Sequence, residues 1–191
     1  MPRLAVVLGC AAALMLASEL SAQRPPTRTG FWYAFGLGHG WARVSCDICK
    51  ADHRPGLSAH VRLGGGVSRS MLVGAEMAGW RTSASGVDQT LAALSAAAFW
   101  YPGRRSPLYL KGGVGLLTHR AEDGTDVITS TGLGPQLGIG YELRIARNLF
   151  LAPYFNVAYG SLAGGVKFNG AEILDQATVI LAQLGVALTG H

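Results

Sequence analysis

The sequence predicts an all-β fold, an eight-stranded antiparallel up-and-down transmembrane β-barrel preceded by a cleavable signal peptide. Three observations carry this. Apolar residues alternate with polar residues or glycine through most of the chain after residue 30, the period-two signature of strands. Glycine supplies 27 of 191 residues, and each one inside a helix would cost about 1 kcal/mol. Charged residues are only 14% against 49% hydrophobic, where soluble domains carry about 25% charge. That shortage argues against disordered and coiled-coil chains, and 8 prolines without a Gly-X-Y period exclude collagen. The net charge of +5 comes from scattered basic residues rather than a run, so nucleic acid is not an expected partner.

The first element, residues 1–22, carries one early positive charge at Arg3, an apolar run from Leu4 to Ala17, and a small residue at Ala22. This is the pattern of a secretory signal peptide. A retained anchor would need a longer run of about 18–20 residues, and lipoprotein processing at Cys10 would leave almost no apolar core before the cut. Residues 23–30, with Pro25 and Pro26, read as a short flexible lead-in. The barrel domain is expected over 31–191.

Eight strands follow. In the first, 31–44, Phe31, Tyr33, Phe35 and Leu37 share one face and Trp32, Ala34, Gly36, Gly38 and Gly40 the other. The second, 57–67, sets Leu57, Val61 and Leu63 against Ser58, His60 and Arg62, and Ser68-Arg69-Ser70 turns the chain into the third, 71–81, with Glu76 opposed to Val73 and Met77. The fourth, 91–101, is alanine-rich and ends at Pro102-Gly103. The fifth, 108–119, opposes Leu110, Val114 and Leu116 to Lys111, Gly113 and Gly115. The sixth, 132–145, opposes Leu137, Ile139 and Tyr141 to Gln136, Gly138, Gly140, Glu142 and Arg144. The seventh, 149–159, carries Tyr154 and Asn156 on its polar face, and the eighth, 179–189, carries Gln183 and Gly185. Long connections (45–56, 82–90, 120–131 and 160–178) alternate with short ones. Outer-membrane barrels place long loops outside and short turns in the periplasm, and strands of about 9–11 residues suit a tilted crossing of the hydrocarbon layer.

Hairpin arithmetic then pairs the strands. Val67 and Met71 flanking the first short turn put Arg62 opposite Glu76, an opposite-charge cross-strand pair, and Ser95 beyond Glu76. A turn at Ala146-Arg147 puts Gln136 opposite Asn156 and Gly138 opposite Tyr154. In an eight-stranded barrel the interior is just wide enough for side chains to fill. A packed polar lumen is therefore expected, with Arg62 and Glu76 as its charge pair and His60, Lys111, Gln136, Glu142, Arg144, Asn156 and Gln183 around them. Gly36, Gly38, Gly40, Gly113, Gly115, Gly138 and Gly140 point inward and leave room for these groups. Pro135 and Pro153 lie inside strands, where bulges near the rims would accommodate their missing donors. Aromatics near strand ends (Phe31, Tyr33, Trp41, Trp80, Trp100, Tyr101 and Tyr159) suggest interfacial girdles, although alternation turns Trp80 inward.

With its signal peptide, eight alternating strands and the segments Gly-Leu-Gly-His-Gly (36–40), Lys-Gly-Gly-Val-Gly (111–115) and Gly-Ile-Gly-Tyr-Glu-Leu-Arg (138–144), the chain resembles the small OmpA/OmpX-like barrels of the bacterial outer-membrane superfamily. The resemblance covers essentially all of 31–191. It implies the outer membrane of a Gram-negative bacterium as location, reached by export through the inner membrane. It also implies outer-membrane lipids and the assembly machinery as partners, a monomer, and a structural or surface-interaction role. The tail from Gln183 follows the assembly signal of such barrels until its last apolar position, where Gly190 stands and His191 follows.

No catalytic, cofactor or metal site is recognisable. Cys46 and Cys49, near Asp52 and His53, most simply form a loop disulfide in an exported chain. Free thiols and a metal site are the alternatives, the latter short of the usual four zinc ligands. Two other functions stand against the structural role. A lipid A-modifying enzyme would use His39, His60 or His119 near the outer strand ends, with Ser58 beside His60, but no acidic residue is placed to orient them. A soluble lipocalin-like carrier would need the faces reversed, apolar inside and polar outside.

Overall fold

Positions that alternate at period two can bury one face only as strands. A computed structural model of the protein describes residues 28–45, 53–84, 86–103, 105–124, 126–161, 166–169, 171–174 and 178–191. The expected signal peptide, residues 23–27 of the lead-in, and Cys46 and Cys49 lie outside the described residues.

The strands are β1 (Gly30–Ser45), β2 (His53–Ser68), β3 (Met71–Ala84), β4 (Val87–Trp100), β5 (Leu108–Asp123), β6 (Asp126–Tyr141), β7 (Leu143–Ala146), β8 (Leu149–Gly160), β9 (Val166–Phe168), β10 (Ala171–Leu174) and β11 (Thr178–Gly190). Consecutive staves pair antiparallel from β1 to β6, β1 also pairs with β11, and β11 with β8. Pairing of β6 with β8 from Gln136↔Ala158 to Gly140↔Tyr154 closes the ring. Eight staves result, because β7 continues β6 after an interruption at Glu142, and the β9–β10 hairpin attaches to the outer part of β6 through Ile128↔Phe168. Both ends of the described chain, Arg28 and His191, lie at one mouth of the barrel together with the 69–70, 101–107 and 147–148 connections. This end is the terminal mouth, and the opposite end the distal mouth.

The strands are longer than alternation suggested. β3 and β4 pair out to Ala84↔Val87 and β5 and β6 out to Asp123↔Asp126, so most of the connections expected at 82–90 and 120–131 are strand. The ladder satisfies their backbone groups, whatever the polarity of the side chains.

Two expectations about the sixth and seventh strands are corrected. The turn falls at Arg147-Asn148, with a register shift between Arg144 and Ala146. The ladder therefore sets Gln136 against Ala158, Gly138 against Asn156 and Gly140 against Tyr154, two residues away from the expected pairs. A slip of two keeps every side chain on its face, since the pleat has period two.

The prolines need no bulge of their own. Leu133 O accepts from Ser161 N at 3.2 Å, so odd-numbered residues of β6 aim their backbone groups at β8. The missing donor of Pro135 thus falls where the β6–β8 ladder stops. Pro153 lies opposite the interruption between β6 and β7, while its β11 pairing with Val186 is unbroken. Both prolines use gaps along the same seam.

The outer wall is apolar. Phe35, Leu37, Leu57, Met77, Leu94, Leu137 and Leu184 are each between 52% and 70% exposed, while Arg62, Glu76 and Lys111 at the middle of the barrel face inward.

Candidate functional site

The inner faces of six staves converge around one carboxylate. Arg62 and Glu76 are ladder partners on β2 and β3, and Arg62 Nε donates to Glu76 Oε2 at 2.5 Å. Lys111, from β5, donates its Nζ to Glu76 Oε1 at 2.5 Å and to Gln136 Oε1 at 3.1 Å. Arg62 Nη1 donates to the Tyr109 hydroxyl at 3.1 Å. With the amide of Asn156 turned so that its oxygen faces Arg62, Nη2 donates to it at 2.9 Å. The guanidinium also lies 5.1 Å from the Phe99 ring centroid, within cation–π range. Ser95, opposite Glu76, donates to the Glu76 carbonyl at 3.3 Å. All three charged groups are 3% exposed or less. Buried charges persist only when paired and hydrogen-bonded, and here one acid serves two cations.

Glycine makes the space. A Cβ on Gly36 would overlap the His60 ring, on Gly40 the Trp80 ring, on Gly115 the Gln136 amide, on Gly138 the Asn156 amide and on Gly140 the Tyr109 ring. Gly38 and Gly113 differ: the former lies against the backbone of Leu184 and Gly185, the latter against Ala96 and Ala97. Five of the seven inward glycines therefore lie under a large lumenal side chain, and two let neighbouring strands approach.

The lumen is not polar throughout, which corrects the expected packed polar interior. On the distal side of the charged belt, Trp80, Leu91, Leu117, Val179 and Leu181 form a buried apolar layer. On the terminal side, Trp32, Leu72, Phe99, Tyr101, Tyr109 and Tyr154 form another, with Trp32 and Phe99 edge-to-face at 4.9 Å. Two apolar seals thus flank the charges. Trp80 fits inside because its Nε1 donates to Gly40 O at 3.1 Å.

The terminal mouth holds a second polar cluster. Glu142 Oε1 accepts from the Tyr101 hydroxyl at 2.6 Å and meets His191 Nε2 at 3.1 Å, while Oε2 meets Arg28 Nη2 at 3.2 Å. Arg28 Nη2 also donates to Ser106 O at 2.7 Å, and its guanidinium stacks 3.6 Å from the Tyr101 ring centroid. Burial pushes the Glu142 carboxyl up, but His191, Arg28 and Tyr101 together outweigh it and hold the group below its ordinary value. Burial, and then the facing carboxylate, push the Tyr101 phenol well up, so it remains a donor. Alternation missed Arg28 and His191, which lie outside strands where period two assigns no face, and Tyr101, expected as the last residue of the fourth strand, lies just past the end of β4 at Trp100. Tyr101 is corrected from girdle to interior.

The remaining candidates divide. Arg144 does not enter the lumen: it donates to Ala146 O at 3.1 Å and Arg147 O at 2.7 Å, because the break at Glu142 turns it onto the hairpin it brackets. Gln183 is buried on β11, beside Asn156. His60 is buried at mid-lumen, edge-to-face with Tyr154 at 4.6 Å, rather than near an outer strand end. Ser58, two residues along, is buried too. His119 is buried opposite Ser130, while His39 lies beside Trp41 on the outer wall. No acidic side chain contacts these histidines among the described residues, and no group of three or more His, Cys, Asp or Glu there could hold a metal.

No family model and no curated protein matches the sequence. Solved structures do. Neisserial surface protein A (NspA) is 18% identical, with a TM-score of 0.55 over 85% of this chain and 97% of that one. The outer membrane protein OprG from Pseudomonas aeruginosa is 14% identical, with a TM-score of 0.51 over 87% and 98%. At such identities the likeness shows the fold. The chain has the closed antiparallel fold of the OmpA/OmpX-like eight-stranded barrels.

Proposed function

We propose that this protein is an integral outer-membrane barrel with a structural or surface-interaction role, exported by residues 1–22 and folded as one domain over 31–191. The observation that carries this is polarity turned inside out: Arg62, Glu76 and Lys111 are buried in the lumen while a continuous row of large apolar side chains faces outward. In water such a wall would aggregate; in lipid it is the solvated face. The height fits. Leu108 to Leu116 on β5 covers nine residues, which at ~3.4 Å each and a tilt of about 40° rises roughly 22 Å, close to the ~25 Å apolar band of such barrels. Phe31, Trp100 and Tyr141 lie at the terminal edge of this row, Trp41 and Tyr159 at the distal edge.

Outer-membrane lipids are then the partners of the wall, the assembly machinery acts in biogenesis, and the barrel is a monomer. The terminal mouth faces the periplasm, since it bears the short turns, and the distal strand extensions with the β9–β10 hairpin present the surface that meets partners. The two apolar seals favour a non-conducting barrel, and the buried positions of Ser58 and His60 speak against lipid A chemistry at the rim. Fractionation of cells tests the reading. The protein should stay with outer membranes after carbonate extraction and migrate faster on gels before boiling than after it. Release into the soluble fraction without detergent would overturn it.

A further inference from the structure

We propose that Glu142 fastens a strap across the terminal mouth, and that neutralising this one carboxylate releases Arg28 and opens the mouth. The strap is the segment entering β1: Arg28 and Thr29 cross the end of β2 closely enough that a Cβ on Gly66 would touch the Arg28 carbonyl. The Arg28 side chain turns into the barrel and is 1% exposed. Glu142 is free to receive it because the strand breaks there. Its N–H donates to Pro107 O at 2.8 Å, one position past the last β5–β6 pair, Leu108↔Tyr141, which ties the residue to the β4–β5 connection.

Four separate parts of the chain meet on this acid: Arg28 before β1, Tyr101 after β4, Glu142 itself, and His191 after β11, which packs edge-to-face on Phe150 at 5.2 Å. Such a cluster exists only when β1, β8 and β11 are all in place. It is also imperfectly satisfied. Arg28 Nε and Nη1 and His191 Nδ1 are buried without a partner among the described residues, a cost that water removes on opening. The closed mouth is therefore balanced on Glu142 rather than locked by packing alone. Arg28, His191 and Tyr101 face Glu142 directly and Tyr109 stands behind Tyr101; with the carboxyl held low, release by acid comes only below the ordinary carboxylate range. The strap works the same way whichever membrane holds the barrel.

Trypsin reads the strap, because the Arg28–Thr29 bond is shielded when Arg28 is inside, whereas Arg69 in the β2–β3 turn is exposed and serves as reference. In detergent micelles at pH 8, Glu142→Gln should raise cleavage after Arg28 relative to Arg69 by about tenfold or more, as a loss of roughly 1.4 kcal/mol would give. Glu122→Gln, on the exposed pair with Arg120, should leave the ratio unchanged. An unchanged ratio in a heat-modifiable Glu142→Gln barrel overturns the proposal. If that variant does not fold, Tyr101→Phe and His191→Ala each remove one arm and should raise the ratio by about threefold, on the tenfold-per-1.4 kcal/mol scale. A wild-type ratio in both would equally overturn it.

Discussion

Replacing Glu76 by Gln keeps the shape of the side chain and strands two buried cations. Glu76 holds Arg62 and Lys111 at 2.5 Å each, with side-chain exposures of 2% or less, so solvent does not screen the loss. With charge centres ~4 Å apart and an effective dielectric of ~20, each attraction is about 4 kcal/mol before desolvation is counted. Breaking a buried pair by removing one partner costs about 3–5 kcal/mol. That range is a lower bound here, because the introduced amide would also turn a donor toward one of the cations. The assay is urea unfolding in lipid vesicles, with the folded fraction read from gel mobility before boiling. Partial rescue is also required: Lys111→Met in the Glu76→Gln background removes one stranded charge and should recover stability. A loss below about 1 kcal/mol for the single variant, outside the 3–5 kcal/mol of a broken buried pair, would refute the argument. So would a double variant less stable than Glu76→Gln alone.

Other outcomes follow from the same structure. Gly140→Ala should cost about 1–3 kcal/mol in that assay by displacing the Tyr109 ring. Gly112→Ala, whose Cβ would meet nothing within 4 Å, should stay within about 0.5 kcal/mol. Leu137→Arg, at a wall position 66% exposed, should cost about 2–4 kcal/mol in vesicles and little if water rather than lipid covers that face. Because the folded carboxyl of Glu142 is held low, its contribution is present above the ordinary carboxylate value and lost as pH falls through the lowered one. Acid titration of stability should therefore be flatter in Glu142→Gln than in the native chain, and superimposable curves would show the cluster contributes nothing.

Much of the barrel was legible from alternation and one turn. Arg62 and Glu76 share a face by parity, and three residues of turn suffice to set them opposite. Ser95 follows across the next hairpin, since β3 and β4 pair without a shift. Parity also placed the glycines inward, although it could not separate Gly36, which makes room for His60, from Gly38, which lets Gly185 approach. What failed lay where the ladder is irregular. The turn at Arg147-Asn148 and the one-residue shift between Arg144 and Ala146 together moved the β6–β8 register by two, and no residue type announces such a shift. The break at Glu142 sent Arg144 out to the hairpin while Glu142 stayed inside. The distal apolar seal was hidden in an alanine-rich fourth strand, where Leu91 and Ala93 carry little contrast with their neighbours. Arg28, Tyr101 and His191 could be found only in three dimensions, because residues 114 apart in sequence meet on one carboxylate.

The proposed role rests on lipid covering the outer wall while protein fills the lumen. Spin labels placed one at a time along β5 from Leu110 to Leu117, in lipid vesicles, decide the matter. Labels at Leu110, Gly112, Val114 and Leu116 should be reached by membrane-soluble oxygen and shielded from aqueous nickel. Labels at Lys111, Gly113, Gly115 and Leu117 should be shielded from both. Nickel access at the even positions would contradict a lipid-covered wall.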